Sequence, residues 1–101
     1  MASRIELHNI LCHLLGSNNV YFQPPNNIEM NYPAIVYSLG DINNKFADNS
    51  VHIQTIAYDV TVIDEDPDSE IVKKVSLLPS CKFNRHYTAD NLNHDVFKLY
   101  Y

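Results

Sequence analysis

Apolar residues recur at helical spacing near the start of the chain. Leu7, Ile10, Leu11 and Leu14 fall at i, i+3, i+4 and i+7, which lines them up on one stripe of an α-helix. Ser3-Arg4-Ile5-Glu6 reads as a capping box ahead of them, and Gly16 stands where a left-handed cap ends a helix. A helix is therefore expected over residues 3–15. After the turn Gly16-Ser17-Asn18-Asn19, Val20-Tyr21-Phe22 predicts a very short strand, closed by Pro24-Pro25-Asn26-Asn27. Ala34 to Leu39 is apolar on both faces and β-rich, as in a central strand. Residues 40–53 break that pattern: they are polar and Asn-rich, with Ile42 and Phe46 isolated, and predict a long loop. From Gln54 to Ile63 the alternation returns, with Ile56, Tyr58, Val60 and Val62 on one face and Thr55, Ala57, Asp59 and Thr61 on the other.

A second helix follows. Asp66 is placed to cap it, Pro67 to open it, and Ile71, Val72, Val75 and Leu78 to face the core. Glu70 and Lys74 are spaced as an i,i+4 ion pair, and Pro79 ends the helix. Phe83–Thr88 and His94–Tyr101 predict two further strands joined by a polar loop over residues 89–93. The order α-β-β-β-α-β-β implies an α+β fold. Two helices would pack on one face of a mostly antiparallel four- to five-stranded sheet, in a single domain over residues 1–101. The opposite face, with Thr55, Asp59, Thr61 and Lys98, is polar alone and suited to pairing in an assembly.

Composition narrows the function. A net charge of -5 opposes a dedicated nucleic-acid or membrane-surface binder, since both need a basic stripe. No apolar run approaches the roughly 20 residues that span a bilayer, and the start of the chain lacks the apolar core of a signal peptide, so synthesis and folding in the cytoplasm are expected. Cys12 and Cys81 form no Cys-x-x-Cys pair and are expected as free, buried or half-buried thiols. Seven tyrosines among the aromatics favour contact surfaces, because each ring joins an apolar plane to a polar tip.

Candidate chemistry is thin. His8 and His13 are five apart and point away from each other on a helix, while adjacent His94 and Asp95 face opposite sides of a strand. His52 and His86 have no spaced partner, which leaves Asp90 with His94 near a turn as the remaining metal candidate. Pro67-Asp68, Glu70 and Lys73 have the residue types of a restriction-type nuclease core. They are crowded into one helix start with the acid-to-Lys spacing one residue too long, so the helix dipole explains the acids better. There is no Gly-x-Ser-x-Gly elbow, Cys12 beside His8 and His13 lies on a helix, and two glycines cannot build a phosphate loop. No catalytic residue, cofactor site or metal site is expected.

Several segments resemble a known family. Asn31-Tyr32-Pro33-Ala34-Ile35-Val36-Tyr37, Tyr58-Asp59-Val60-Thr61-Val62-Ile63-Asp64 with Asp66-Pro67-Asp68-Ser69, Phe83-Asn84-Arg85-His86-Tyr87 and Asn91-Leu92-Asn93-His94-Asp95-Val96-Phe97 are similar to the tail-completion proteins of long-tailed bacteriophages, above all to tail terminators of the phage lambda type. The resemblance implies a virion protein in the tail or neck, made in the host cytoplasm, with neither enzyme activity nor cofactor. It implies a homo-oligomeric ring, usually of six subunits, that caps the tail tube and joins it to the head-side connector. Genomic DNA would pass through the lumen unbound by sequence. Six copies would carry a charge of about -30, which repels DNA from the channel wall; plain solubility explains the acidity as well. A head-completion (stopper) or other neck role is the neighbouring alternative. A small metal-dependent hydrolase using Asp90 and His94, and a host-side regulator or antitoxin, are the alternatives from other classes. In the terminator reading, residues 40–53 are the family's long contact loop, with Asn43, Asn44, Lys45, Phe46 and Asp48 foremost. Arg85 would bridge to an acid on a neighbour or pair locally, and Tyr100 and Tyr101 would sit at an interface or end a strand in the core.

Overall fold

The computed structural model describes residues 4–24, 29–47 and 50–101, with the backbone alone at 46, 47 and 50–53. Seven elements follow in the expected order: α1 (Arg4–Leu15), β1 (Val20–Phe22), β2 (Ala34–Ala47), β3 (Ser50–Asp64), α2 (Glu70–Ser76), β4 (Cys81–Ala89) and β5 (Leu92–Tyr100). The strands make one sheet in the order β1-β2-β3-β5-β4, antiparallel except where β1 runs parallel to β2. The fold is α+β, as the alternation of patterns implies.

The core lies between the helices and one sheet face. Leu7 and Leu11 of α1 and Val75 of α2 are buried against Ile35 and Tyr37 of β2, Tyr58, Val60 and Val62 of β3, and Phe97 and Leu99 of β5. α1 ends as its sequence dictates: Gly16 adopts φ +80° and its amide reaches the Cys12 carbonyl at 2.9 Å, an αL cap. The capping box expected at its start involves Ser3, which lies outside the described residues.

Four expectations are corrected. Residues 40–53 are not a loop within the described residues: β2 continues to Ala47 and β3 begins at Ser50, pairing from Ala34↔Ile63 to Ala47↔Ser50 with bulges at Leu39/Asp41 and Lys45/Phe46. Polar sequence hid the strands because this end of the pair leaves the body. With no helix above it, nothing demands apolar alternation. The second helix starts later than expected, at Glu70 with Ser69 as its cap, whose Oγ accepts from the Ile71 amide at 3.3 Å. Asp64 and Asp66 instead accept from the amides two residues on, at 3.1 and 2.9 Å. These successive Asx turns compete with the helix for the same backbone. Glu70 then pairs with Lys73 at 3.7 Å, one residue nearer than the expected Lys74. Finally, β4 and β5 meet through a two-residue turn, Asp90-Asn91, at φ +52° and +63°, the positive-φ geometry of a type I′ hairpin and not a longer loop.

One buried polar group ties α1 to the sheet. The Tyr37 side chain is almost wholly enclosed, and its hydroxyl lies 3.1 Å from Arg4 Nη1 and 2.7 Å from His8 Nδ1. Arginine can only donate, so the tyrosine oxygen accepts from Arg4, and the imidazole tautomer sets the direction of its bond with His8. The ring packs on Phe22 at 4.9 Å, and the Arg4 guanidinium caps Phe22 at 4.4 Å. Burial pushes the Tyr37 hydroxyl above its ordinary pKa, with the Arg4 hydrogen bond and charge opposing the shift.

Two outcomes follow. Tyr37→Phe, by removing a hydroxyl shared by two partners, should cost about 1–3 kcal/mol in urea unfolding. The folded chain holds the tyrosine proton more tightly than the unfolded chain. Tyr37's contribution to stability should therefore be constant below pH about 10 and fall as pH rises above that toward the folded pKa; the same titration on Tyr37→Phe should show a shallower decline.

Candidate interaction surface

The long β2–β3 pair sets the shape of the molecule. A strand of 15 residues spans about 50 Å at roughly 3.4 Å per residue, and the principal extents are 51 × 24 × 24 Å. β5 stops pairing with β3 at Ala57↔Tyr100, so the residues of β2 and β3 beyond that point form a two-stranded arm. On its helix side the arm carries Ile42, 48% exposed and opposite half-buried Ile56, and at the arm's root stands Leu39, 46% exposed and opposite Tyr58. Asn44 accepts from Gln54 Nε2 across the strands at 3.0 Å. The expected contact residues Asn43, Asn44 and Lys45 thus stand on this arm, Asn43 and Lys45 being exposed. Phe46 belongs to β2, opposite Val51; Asp48 lies outside the described residues.

The second surface is the sheet face away from the helices. Cross-strand rows run over it: Ser38, Asp59, Lys98 and Lys82; then Val36, Thr61, Val96 and Arg85; then Ala34, Ile63, His94 and Tyr87. Tyr87 and His94 stack at 4.6 Å and 11°, the Arg85 guanidinium lies 5.5 Å from the Tyr87 ring, and Lys98 Nζ lies 5.9 Å from the Tyr100 ring. A shallow depression of about 430 Å³ opens beside the stack, floored by Val36, Thr61 and Ile63 and bordered by Pro24 and Met30. Gly40 sits at the first bulge, and a Cβ there would meet the Asp59 carboxylate at 2.9 Å, so the glycine leaves room for that carboxylate on β2.

Arg85 and Tyr100 therefore lie on the open face. Tyr101 does not join them: it is half-buried, packs against the core and bonds through its amide to the Ile56 carbonyl at 3.0 Å. It lines a recess of about 210 Å³ with Leu7, Ile10, Leu78 and Leu99, between the helices and the sheet. That recess is apolar and has no convergent acid, base or nucleophile. Burial raises the nearby Cys81 thiol pKa, which makes it a poorer nucleophile.

The remaining chemical candidates are not brought together. His94 Nδ1 is 3.2 Å from the Leu92 carbonyl and its ring is stacked, while Asp90 shapes the turn. Among the described residues, no group of three or more His, Cys, Asp or Glu side chains could hold a metal ion. A pair not foreseen from sequence is His86 with Asp95, 2.7 Å apart on the helix side of β4–β5. It follows directly from the register once the turn is known to contain two residues. No described helix is long and apolar enough to cross a membrane.

Leu39→Ser with Ile42→Ser should change stability by less than about 1 kcal/mol in urea unfolding, because both side chains are half in water, whereas Leu11→Ala in the core should cost about 2–5 kcal/mol. A large loss in the arm variant would mean that the arm packs against its own body. Compared with known proteins, the chain matches no family model and no curated protein.

Proposed function

We propose that this chain is a structural subunit of a long-tailed phage particle, a ring-forming tail terminator that caps the tail tube and joins it to the head-side connector. The observation that carries the proposal is the two-stranded arm, with exposed Ile42 on it and exposed Leu39 at its root. An isolated two-stranded ribbon is marginal in water, and apolar side chains left half-exposed at the margin of their own core suit a surface on another subunit. The open sheet face offers each subunit a second contact area in a different place. Two unlike surfaces on one chain fit a head-to-tail contact, which closes into a ring when the rotation allows. The segments that resemble the tail-completion family include the β2, β3 and β4–β5 strands that build these surfaces.

Purified chain should form closed rings, about six-fold, seen by sedimentation and negative-stain microscopy, alone or on the ends of tail tubes. Phage particles made without it should carry overlong tubes. Normal-length free tails beside leaking heads would instead assign the stopper role, and a chain that stays monomeric and binds neither tubes nor connectors would refute both.

A further inference from the structure

The open face is a basic patch on an acidic protein. Lys82, Arg85 and Lys98 project from it, flanked by Tyr87 and His94 on one side and Tyr100 on the other. These are three of the chain's seven Lys and Arg residues, in a molecule of net charge -5. Lys82 and Lys98 are directly opposite each other in the ladder, a like-charge pairing that a lone sheet does not favour. Among the described residues, two carboxylates share this face on its β2–β3 side: Asp59, opposite Lys98 in the ladder and against Gly40, and Asp41, opposite Ala57; Lys82 and Arg85 lie on β4, away from both. Neither the Lys73–Glu70 ion pair nor the His86–Asp95 contact includes a cation of this patch.

The complementary charge is on the same chain. Asp64, Glu65, Asp66, Asp68 and Glu70 put five carboxylates into seven residues ahead of α2, and Glu65, Asp66, Asp68 and Glu70 are exposed. One cation, Lys73, meets this run, at Glu70. The segment lies at the end of β3 where Asn93 Nδ2 bonds the Asp64 and Glu65 carbonyls at 3.4 and 3.3 Å, beyond the Tyr87–His94 row and past the end of the open face. The two patches occupy different parts of the surface, so contact between copies would be head-to-tail.

We infer that the open face of one copy, through Lys82, Arg85 and Lys98, docks the acidic 64–70 segment of the next copy. The inference rests on the ring reading above and specifies which surfaces close the ring. Long-range attraction orients the encounter, and the aromatic rings flanking the cations supply apolar contact once water leaves. A single-stranded nucleic acid could also use cations with aromatics, but an identical copy brings its carboxylates at the same concentration as the patch itself.

Charge reversal tests this on the full chain, with circular dichroism confirming the fold of each variant. Lys82→Glu with Arg85→Glu, or Asp66→Lys with Asp68→Lys, should each weaken self-association at least tenfold by sedimentation. An equimolar mixture of the two variants should recover assembly, because every contact then joins opposite charges in alternating order. Wild-type association should fall at least tenfold between about 50 and 500 mM salt, as screening shortens the reach of exposed charges. Rings that persist unchanged in both variants would overturn this contact and leave the ring reading standing. A wild-type chain that forms no rings at low salt, alone or on tail-tube ends, and binds no connector would overturn that reading and this inference with it. Variants that assemble normally but lose binding to a labelled single-stranded oligonucleotide would assign the patch to nucleic acid and overturn the inference.

Discussion

The antiparallel ladder between β2 and β3 is the constraint on which everything else hangs. It runs from Ala34↔Ile63 to Ala47↔Ser50, longer than any other pairing in the sheet. Its first half is the centre of the fold, where Ile35, Tyr37, Tyr58, Val60 and Val62 meet the helices. Its second half has no helix and no β5 beside it. Backbone hydrogen bonding propagates along a strand pair regardless of what covers it, so one continuous ladder builds a core at one end and a projecting arm at the other. The bulge at Leu39/Asp41 marks the change, with Gly40 making space for Asp59. In such a ladder each register step turns side chains to alternate faces. The same register that buries Tyr58 and Val60 therefore commits Asp59 and Thr61 to the open face.

The core end is fixed by more than apolar contact. Tyr37 brings a hydroxyl into an enclosed site, and Arg4 and His8 both reach it from α1. An unpaired hydroxyl there would oppose folding, so the bonds specify where along β2 the helix docks. Leu7 and Leu11 then fall over the sheet centre, while Ile10 and Leu14 are left at the margin, facing the groove toward Leu78. A four-residue stripe was legible in the sequence, but the Tyr37 anchor selects which two of its members are fully covered.

How much of this was readable from sequence depends on what covers each segment. α1, the central strands and the element order were legible, because burial on one side imposes a period on the residues. The arm was not: Asp41, Asn43 and Lys45 carry no period when water lies on both sides, and Ile42 and Phe46 read as isolated apolar residues in a loop. The start of α2 was misread because Asp64, Asp66 and Ser69 are all residues that bond nearby amides, and spacing alone does not say which one caps. For the open face, Asp59, Thr61 and Lys98 were placed correctly from alternation. The Arg85–Tyr87–His94 cluster was missed, since it depends on a hairpin register that only the two-residue turn Asp90-Asn91 supplies.

A molecule whose core occupies half of its longest ladder leaves the other half to find cover elsewhere. Hydrogen–deuterium exchange resolved by peptide gives the most direct test of that claim, comparing dilute chain with assembled rings or with chain bound to tube ends. The account predicts that amides of residues 41–47 and 50–56 exchange readily in the dilute state and become strongly protected on assembly, while the amides of Val60 and Val62 are protected in both. Arm amides equally protected in the lone subunit and unchanged by assembly would contradict it.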